Sequence, residues 1–287
     1  MAGGIVAILR GRPVHPVGPD GRMAVSDHLR ELRSRLILSA LVFGVLFVVA
    51  LFNYHPLFDL VGHPYNHARE QLHAGNTTMA TTTGVTGGFV LYMKICGWAA
   101  VFVSSPFWLA QIWGFVTPGL HKNERRWART FAAIAGPLFL AGVVLGYWTL
   151  PIALHGLIGL NPSGVTNLVD FNAYLTFLIR TLLVFGLALE LPVFVVLLNL
   201  AGVLSARNFR RGWRWIVIGT FTGAAIVAPS PDPFTMTILA TVMCILFVVA
   251  GAIAHVNDAR RAKARPNFDL DPDEPSKLDL STERPGV

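Results

Sequence analysis

The sequence predicts an all-α polytopic membrane protein: six transmembrane helices, the last two short, with both termini on the cytoplasmic side. Three observations lead there. Of 287 residues, 53% are hydrophobic and 14% charged, whereas a soluble domain carries about 25% charged residues. Several charge-free runs are long enough to cross a hydrocarbon core of about 30 Å. Lys and Arg, 23 against 16 Asp and Glu, gather in alternate connections, as the positive-inside rule requires of cytoplasmic loops.

Taken in order, residues 1–25 are rich in Gly, Pro and Arg and read as a disordered cytoplasmic extension. No signal peptide precedes the first run, so that run directs insertion. The segment 26–35, SDHLRELRSR, is polar and helix-prone, with Ser26 or Asp27 as its cap. The spans are expected over about 36–52, 89–115, 130–150, 171–200, 215–228 and 234–255. Residues 53–88 read as a loop with a Thr-rich piece, 151–170 as a loop with turn signals, and 229–233 as the tight turn PSPDP. The 17 residues between Arg214 and Asp232 make about 26 Å of helix, so the fifth span sits shallow or thins the bilayer. The membrane domain is thus 26–260, and 261–287 is a basic-then-acidic disordered tail.

Basic residues lie before the first span, in 122–129, in 207–214 and in the tail, while the intervening loops hold only Arg69. That pattern makes the positive charge a topology anchor and argues against nucleic-acid binding. Cys96 and Cys244 lie in apolar runs, where a small thiol suits helix packing. The pairs Gly142/Gly146 and Gly219/Gly223 have the spacing that lets helices approach closely.

The fourth span carries Glu190 at membrane depth, followed by Pro192. A charged side chain at the centre of a span costs about 3 kcal/mol on insertion scales, and such a residue is a functional candidate by default. Pro192 has no N–H to bond the carbonyl of Ala188, which adds a free acceptor beside the acid. Arg180 lies about 15 Å away along the same helix, too far to pair. The partner of Glu190 is therefore water, another helix or another subunit; the plain alternative is a neutral acid hydrogen-bonded within the bundle.

Four segments in order, DHLRELRSRL (27–36), SPFWLAQIWGFVTPGLHKNERR (105–126), FGLALELPVF (185–194, after AYLTF) and PSPDPFT (229–235), resemble the TatC family, the receptor subunit of the twin-arginine protein translocase. The resemblance covers about residues 25–255. It implies a curved six-helix wall with a concave face in the bacterial cytoplasmic membrane, no catalysis, no cofactor and no metal. It also implies transport of folded precursors driven by the proton-motive force.

The partners it implies are twin-arginine signal peptides, single-span TatA- and TatB-type subunits, other TatC copies and the lipid bilayer, but no nucleic acid. By resemblance, Glu31 and Glu124 receive the two arginines of the signal peptide, because carboxylates bind guanidinium through charge-assisted hydrogen bonds. Arg125 and Arg126 fix that loop, and Leu29, Leu32 and Phe115 supply apolar surface. The plain alternative for Glu31 is an i, i+4 pair with Arg35, worth about 0.2–0.5 kcal/mol. Glu190 and Gln111 are the expected docking residues for partner helices. Pro106, Pro118, Pro192 and Asp232 are structural. Trp113 reads as an interfacial belt residue.

Rival classes have weaker support. A secondary transporter of a small solute centred on Glu190 needs converging polar groups or broken, repeated helices, and no repeat relates the halves. A metal site at His63, His67, His73 and Glu70 needs a helix that Pro64 discourages.

Overall fold

The computed structural model describes residues 25–71, 78–116, 122–160, 167–202, 204–228 and 232–264. The expectations for 1–24, for the tail beyond 264 and for Pro118 lie outside the described residues. Among the described residues the structure is helical apart from two short strands and brief connections. The order is α1 (Val25–Phe52), α2 (Tyr54–Glu70), β1 (Thr78–Thr81), α3 (Gly87–Val103), α4 (Ser105–Val116), α5 (Lys122–Gly159), β2 (Asn167–Asp170), α6 (Phe171–Ala201), α7 (Ala206–Arg211), α8 (Trp213–Val227) and α9 (Pro233–Ala264).

Helices α1, α5, α6 and α9 each contain a stretch long and apolar enough to cross a membrane. The pair α3 and α4 passes the same test as one span bent by 54°. Helix α8 has 15 residues, about 22 Å at 1.5 Å per residue, and is short as expected; α9 has 32 residues, which corrects the expectation that the last helix is short as well. Large apolar side chains such as Leu36, Leu41, Val45 and Val48 of α1 are exposed. On a helix this hydrophobic such a surface suits lipid rather than water.

Several expectations are corrected. Residues 53–88 are not a loop: α2 occupies 54–70 and runs through Pro64. A proline inside a helix frees the carbonyl four residues back, here that of Leu60. The Tyr147 hydroxyl of α5 donates to Leu60 O at 2.8 Å and supplies the missing bond. Tyr174 of α6 donates to the next carbonyl, Val61 O, at 2.7 Å, so two spans hold α2 in place. Parallel strands β1 and β2 pair Thr78 with Asn167 through Thr81 with Asp170, and Tyr65 of α2 hydrogen-bonds Thr78 at 3.0 Å.

The second apolar run is broken rather than continuous. The break falls at Ser104, and Pro106 stands second in the new helix. The Ser105 hydroxyl donates to Phe102 O at 2.7 Å, the carbonyl that Pro106 leaves free. Trp108 Nε1 donates to Val101 O at 3.1 Å. Helix α5 also exceeds its expected span, 130–150, and continues through Pro151 to Gly159. The basic connection after α6 contains a further helical segment, α7.

Helices α5 and α6 pack closest. A Cβ built on Gly142 would lie 2.5 Å from Phe185 O and 2.7 Å from Gly186 Cα, so only glycine permits this approach. The other small pair behaves differently: Gly219 and Gly223 have nothing within 4 Å of such a Cβ and make no close approach among the described residues. One buried cluster, with Leu91, Ile95, Leu154, Tyr174 and Leu178, joins α3, α5 and α6 beneath α2. A second, with Phe185, Ala224, Leu239 and Met243, joins α6 to α8 and α9. Both cysteines are free; Cys96 is buried and directs its thiol toward Ala50 O at 3.5 Å.

Candidate functional site

The polar segment and the first span form one 28-residue helix, α1, with Asp27 in its first turn. On it, His28, Glu31 and Arg35 stand three, four and seven residues apart and share a face. The break at Ser104 turns α4 so that Gln111, Gly114 and Phe115 meet that face.

Glu31 is fully buried and Arg35 is 2% exposed. Arg35 Nε and Nη2 both donate to one oxygen, Glu31 Oε1, at 3.0 and 2.6 Å. Arg35 Nη1 donates to Gln111 Oε1 at 3.0 Å. The second oxygen, Glu31 Oε2, is buried and has no hydrogen-bond partner among the described residues. A buried oxygen left without a donor is costly. It is also an acceptor held in position for a donor.

The guanidinium lies flat against α4 because residue 114 has no side chain: a Cβ there would meet Arg35 Nη1 at 2.5 Å. Beside it, the His28 and Phe115 rings stack with centroids 4.1 Å apart and 16° between planes. Leu29, 58% exposed, and Leu32, 41% exposed, project from α1 next to this cluster.

The structure therefore gathers Glu31, Gln111 and Phe115, with Leu29 alongside. Gln111, expected to dock a partner helix, bonds the arginine that holds Glu31. Glu124 and Arg126 fall in the first turns of α5, on backbone the structure describes; their side chains lie outside the described residues. Trp113 packs on Phe194 of α6 with centroids 5.7 Å apart, one turn beyond Glu190.

Glu190 is half-buried, and its Oε1 is buried without a hydrogen-bond partner among the described residues. Arg180 is exposed on the same helix. Lys94 reaches Thr176 instead, at 3.4 Å. Asp232 is buried, and its Oδ1 accepts from Thr235 N at 2.7 Å, the cap geometry of a helix start. Among the described residues no group of three His, Cys, Asp or Glu is placed to hold a metal.

Sequence reasoning missed a second polar cluster at the far end of α6. Asn199 Nδ2 donates to Leu204 O at 2.8 Å and to Asp258 Oδ1 at 2.9 Å. Asn257 Nδ2 donates to Asn199 Oδ1 at 2.9 Å, and Asp258 Oδ2 accepts from Ala206 N at 2.6 Å. Its signal in the sequence is weak: an Asn near the end of an apolar run and an Asn-Asp pair at the end of another.

Comparison with known proteins places this geometry. The sequence pattern of the Sec-independent protein translocase protein TatC matches residues 27–241. The chain belongs to the TatC family. It is 40% identical over 276 residues to TatC of Frankia casuarinae, covering 93% of this chain and 76% of that one. It is 31% identical over 223 residues to TatC of Escherichia coli, covering 77% and 84%. A crystal structure of the twin-arginine translocase receptor TatC superposes with a TM-score of 0.64 at 26% identity, covering 80% of this chain and 99% of that one. The chain is thus a membrane component of the Sec-independent translocase, a family of transport proteins rather than enzymes. Glu31, Glu124, Glu190 and Asp232 all fall inside the matched region.

Proposed function

We propose that this TatC-family chain is the signal-peptide receptor of a twin-arginine translocase in the bacterial cytoplasmic membrane. It crosses six times, with α3 and α4 as one bent span and α8 as the short fifth, and wraps into a wall with a concave face. Both termini are cytoplasmic, which puts the basic connections on the cytoplasmic side as the positive-inside rule requires.

The observation that carries the reading is Glu31 Oε2, an acceptor buried and unpartnered beside exposed leucines. Arg35 and Gln111 fix the carboxylate through its other oxygen. An incoming guanidinium supplies the missing donors, and Leu29 and Leu32 meet the apolar part of the signal. Glu124 takes the second arginine, with Arg125 and Arg126 ordering its loop.

Glu190 then docks a polar residue of a single-span TatA- or TatB-type subunit, and further copies of the chain complete the assembly. Its unpartnered Oε1 supports that role over a small-solute site, which needs several converging polar groups. Transport of the folded precursor is driven by the proton-motive force. Titrating the purified protein with a fluorescent twin-arginine peptide tests the receptor role: saturable binding that a twin-lysine peptide does not compete supports it, and equal competition by the two contradicts it.

A further inference from the structure

Helix α7 carries Arg207, Arg210 and Arg211, and Arg214 follows in the first turn of α8; all four are exposed. Trp213 stands among them. Between α7 and the end of α9 lies an open groove of about 430 Å³, lined by Phe209, Trp213, Val248 and Ala252, with Arg210 and His255 contributing to its wall. Phe209 forms part of it by seating on Gly251, where a Cβ would lie 2.6 Å from its ring.

The nearby carboxylate does not neutralise these arginines. Asp258 spends one oxygen on Asn199 and the other on Ala206 N. Among the described residues the Arg35–Glu31 pair is the one salt bridge, so the α7 arginines have no acidic partner there. The result is an open groove with a mostly apolar lining, with a cation that no described acid neutralises and an imidazole beside it. A tryptophan of the kind found at membrane interfaces lies alongside.

We propose that this groove is a binding site for an anionic phospholipid of the cytoplasmic leaflet. One acyl chain lies on Phe209, Val248 and Ala252, and the phosphate meets Arg210 and His255. Basic pockets at the cytoplasmic ends of spans suit anionic headgroups, and each arginine near such a surface adds about fivefold in affinity. A topology anchor alone needs only net charge; a built groove adds selection of one lipid at a defined place. The assignment of leaflet rests on the receptor topology proposed above.

Native mass spectrometry of the purified full chain, incubated with equal phosphatidylglycerol and phosphatidylcholine, tests it. The expected result is one tightly retained phosphatidylglycerol, preferred about fivefold or more over phosphatidylcholine. In R210Q/H255Q the preference falls to near unity, while R69Q leaves it unchanged. If the double variant does not purify folded, A252W fills the groove with every charge kept, and the retained lipid is lost. Equal retention of the two lipids by the unmodified chain, or an unchanged preference in whichever groove variant folds, overturns the proposal. Twin-arginine peptide binding, measured on the same preparation, separates the two readings: its loss removes the receptor role and leaves the lipid preference standing.

Discussion

Arg35 holds Glu31 by a single oxygen. Two of its N–H groups converge on Glu31 Oε1 at 3.0 and 2.6 Å, a third reaches Gln111, and Glu31 Oε2 is left buried and open. The obvious i, i+4 pair of the sequence and the acid proposed to receive the signal peptide are therefore the same structure, and the pair sets which oxygen is available.

Substitutions around that clamp should act on peptide binding through Glu31. Arg35→Gln leaves an uncompensated buried carboxylate, and breaking a buried pair costs about 3–5 kcal/mol; a markedly lower melting temperature in detergent is expected. Arg35→Lys keeps the charge but not the planar fork, so the fold should survive with weaker peptide binding. Gly114→Ala changes no charge, yet its Cβ would meet Arg35 Nη1 at 2.5 Å and should also weaken binding. Unchanged affinity in both Arg35→Lys and Gly114→Ala would mean the clamp does not position Glu31.

The bond from Tyr147 to Leu60 O compensates for Pro64, and a double-mutant cycle can isolate it. Tyr147→Phe alone should cost about 1 kcal/mol, the worth of one hydrogen bond. With Pro64→Ala, an amide N–H returns to Leu60 O, and the same change should cost clearly less. A coupling of about 0.5 kcal/mol or more is expected between these neighbours; additive losses would show that the tyrosine acts only by packing.

Gly142→Ala and Gly223→Ala should move stability in opposite directions. Both gain helix propensity, up to about 1 kcal/mol. At Gly142 the new methyl meets Phe185 O and Gly186 Cα, and overpacking costs about 1–3 kcal/mol, so net destabilisation is expected. At Gly223 nothing lies within 4 Å, so the propensity gain is not offset and the purified chain should be slightly more stable. Thermal unfolding of the two variants side by side reads the difference.

Glu190→Ala should weaken co-purification of a TatA- or TatB-type subunit while twin-arginine peptide binding stays at the level of the unmodified chain. Oε1 of Glu190 has no partner within the described residues, so the substitution breaks no hydrogen bond described within the chain, and its effect falls on the proposed docking. Equal recovery of the partner subunit would remove the docking role.

The apolar spans were legible because length and charge exclusion mark a membrane helix directly. Helix α2 was not: its mixed composition gives no long apolar run, and Pro64 argues against a helix unless Tyr147, 83 residues on in the chain, is known to face Leu60. The extension of α5 through Pro151 hid for the same reason. Glu31 stood out as an acid on a basic face, and Arg35 as its neighbour one turn on. The role of Gln111 was not readable, because it depends on the 54° bend between α3 and α4. The cluster of Asn199, Asn257 and Asp258 needs two helix ends brought together across about 60 residues of chain, which no local pattern records.

The receptor role is tested most directly by photo-crosslinking a twin-arginine signal peptide to the membrane-embedded protein, with a twin-lysine peptide alongside. The unmodified chain should capture the twin-arginine peptide and not the twin-lysine one. Glu31→Gln should reduce that capture strongly, and Glu31→Lys with Glu124→Lys should abolish it in protein that still inserts and folds. Undiminished crosslinking in the folded double variant would contradict the assignment of these acids as the arginine receptor.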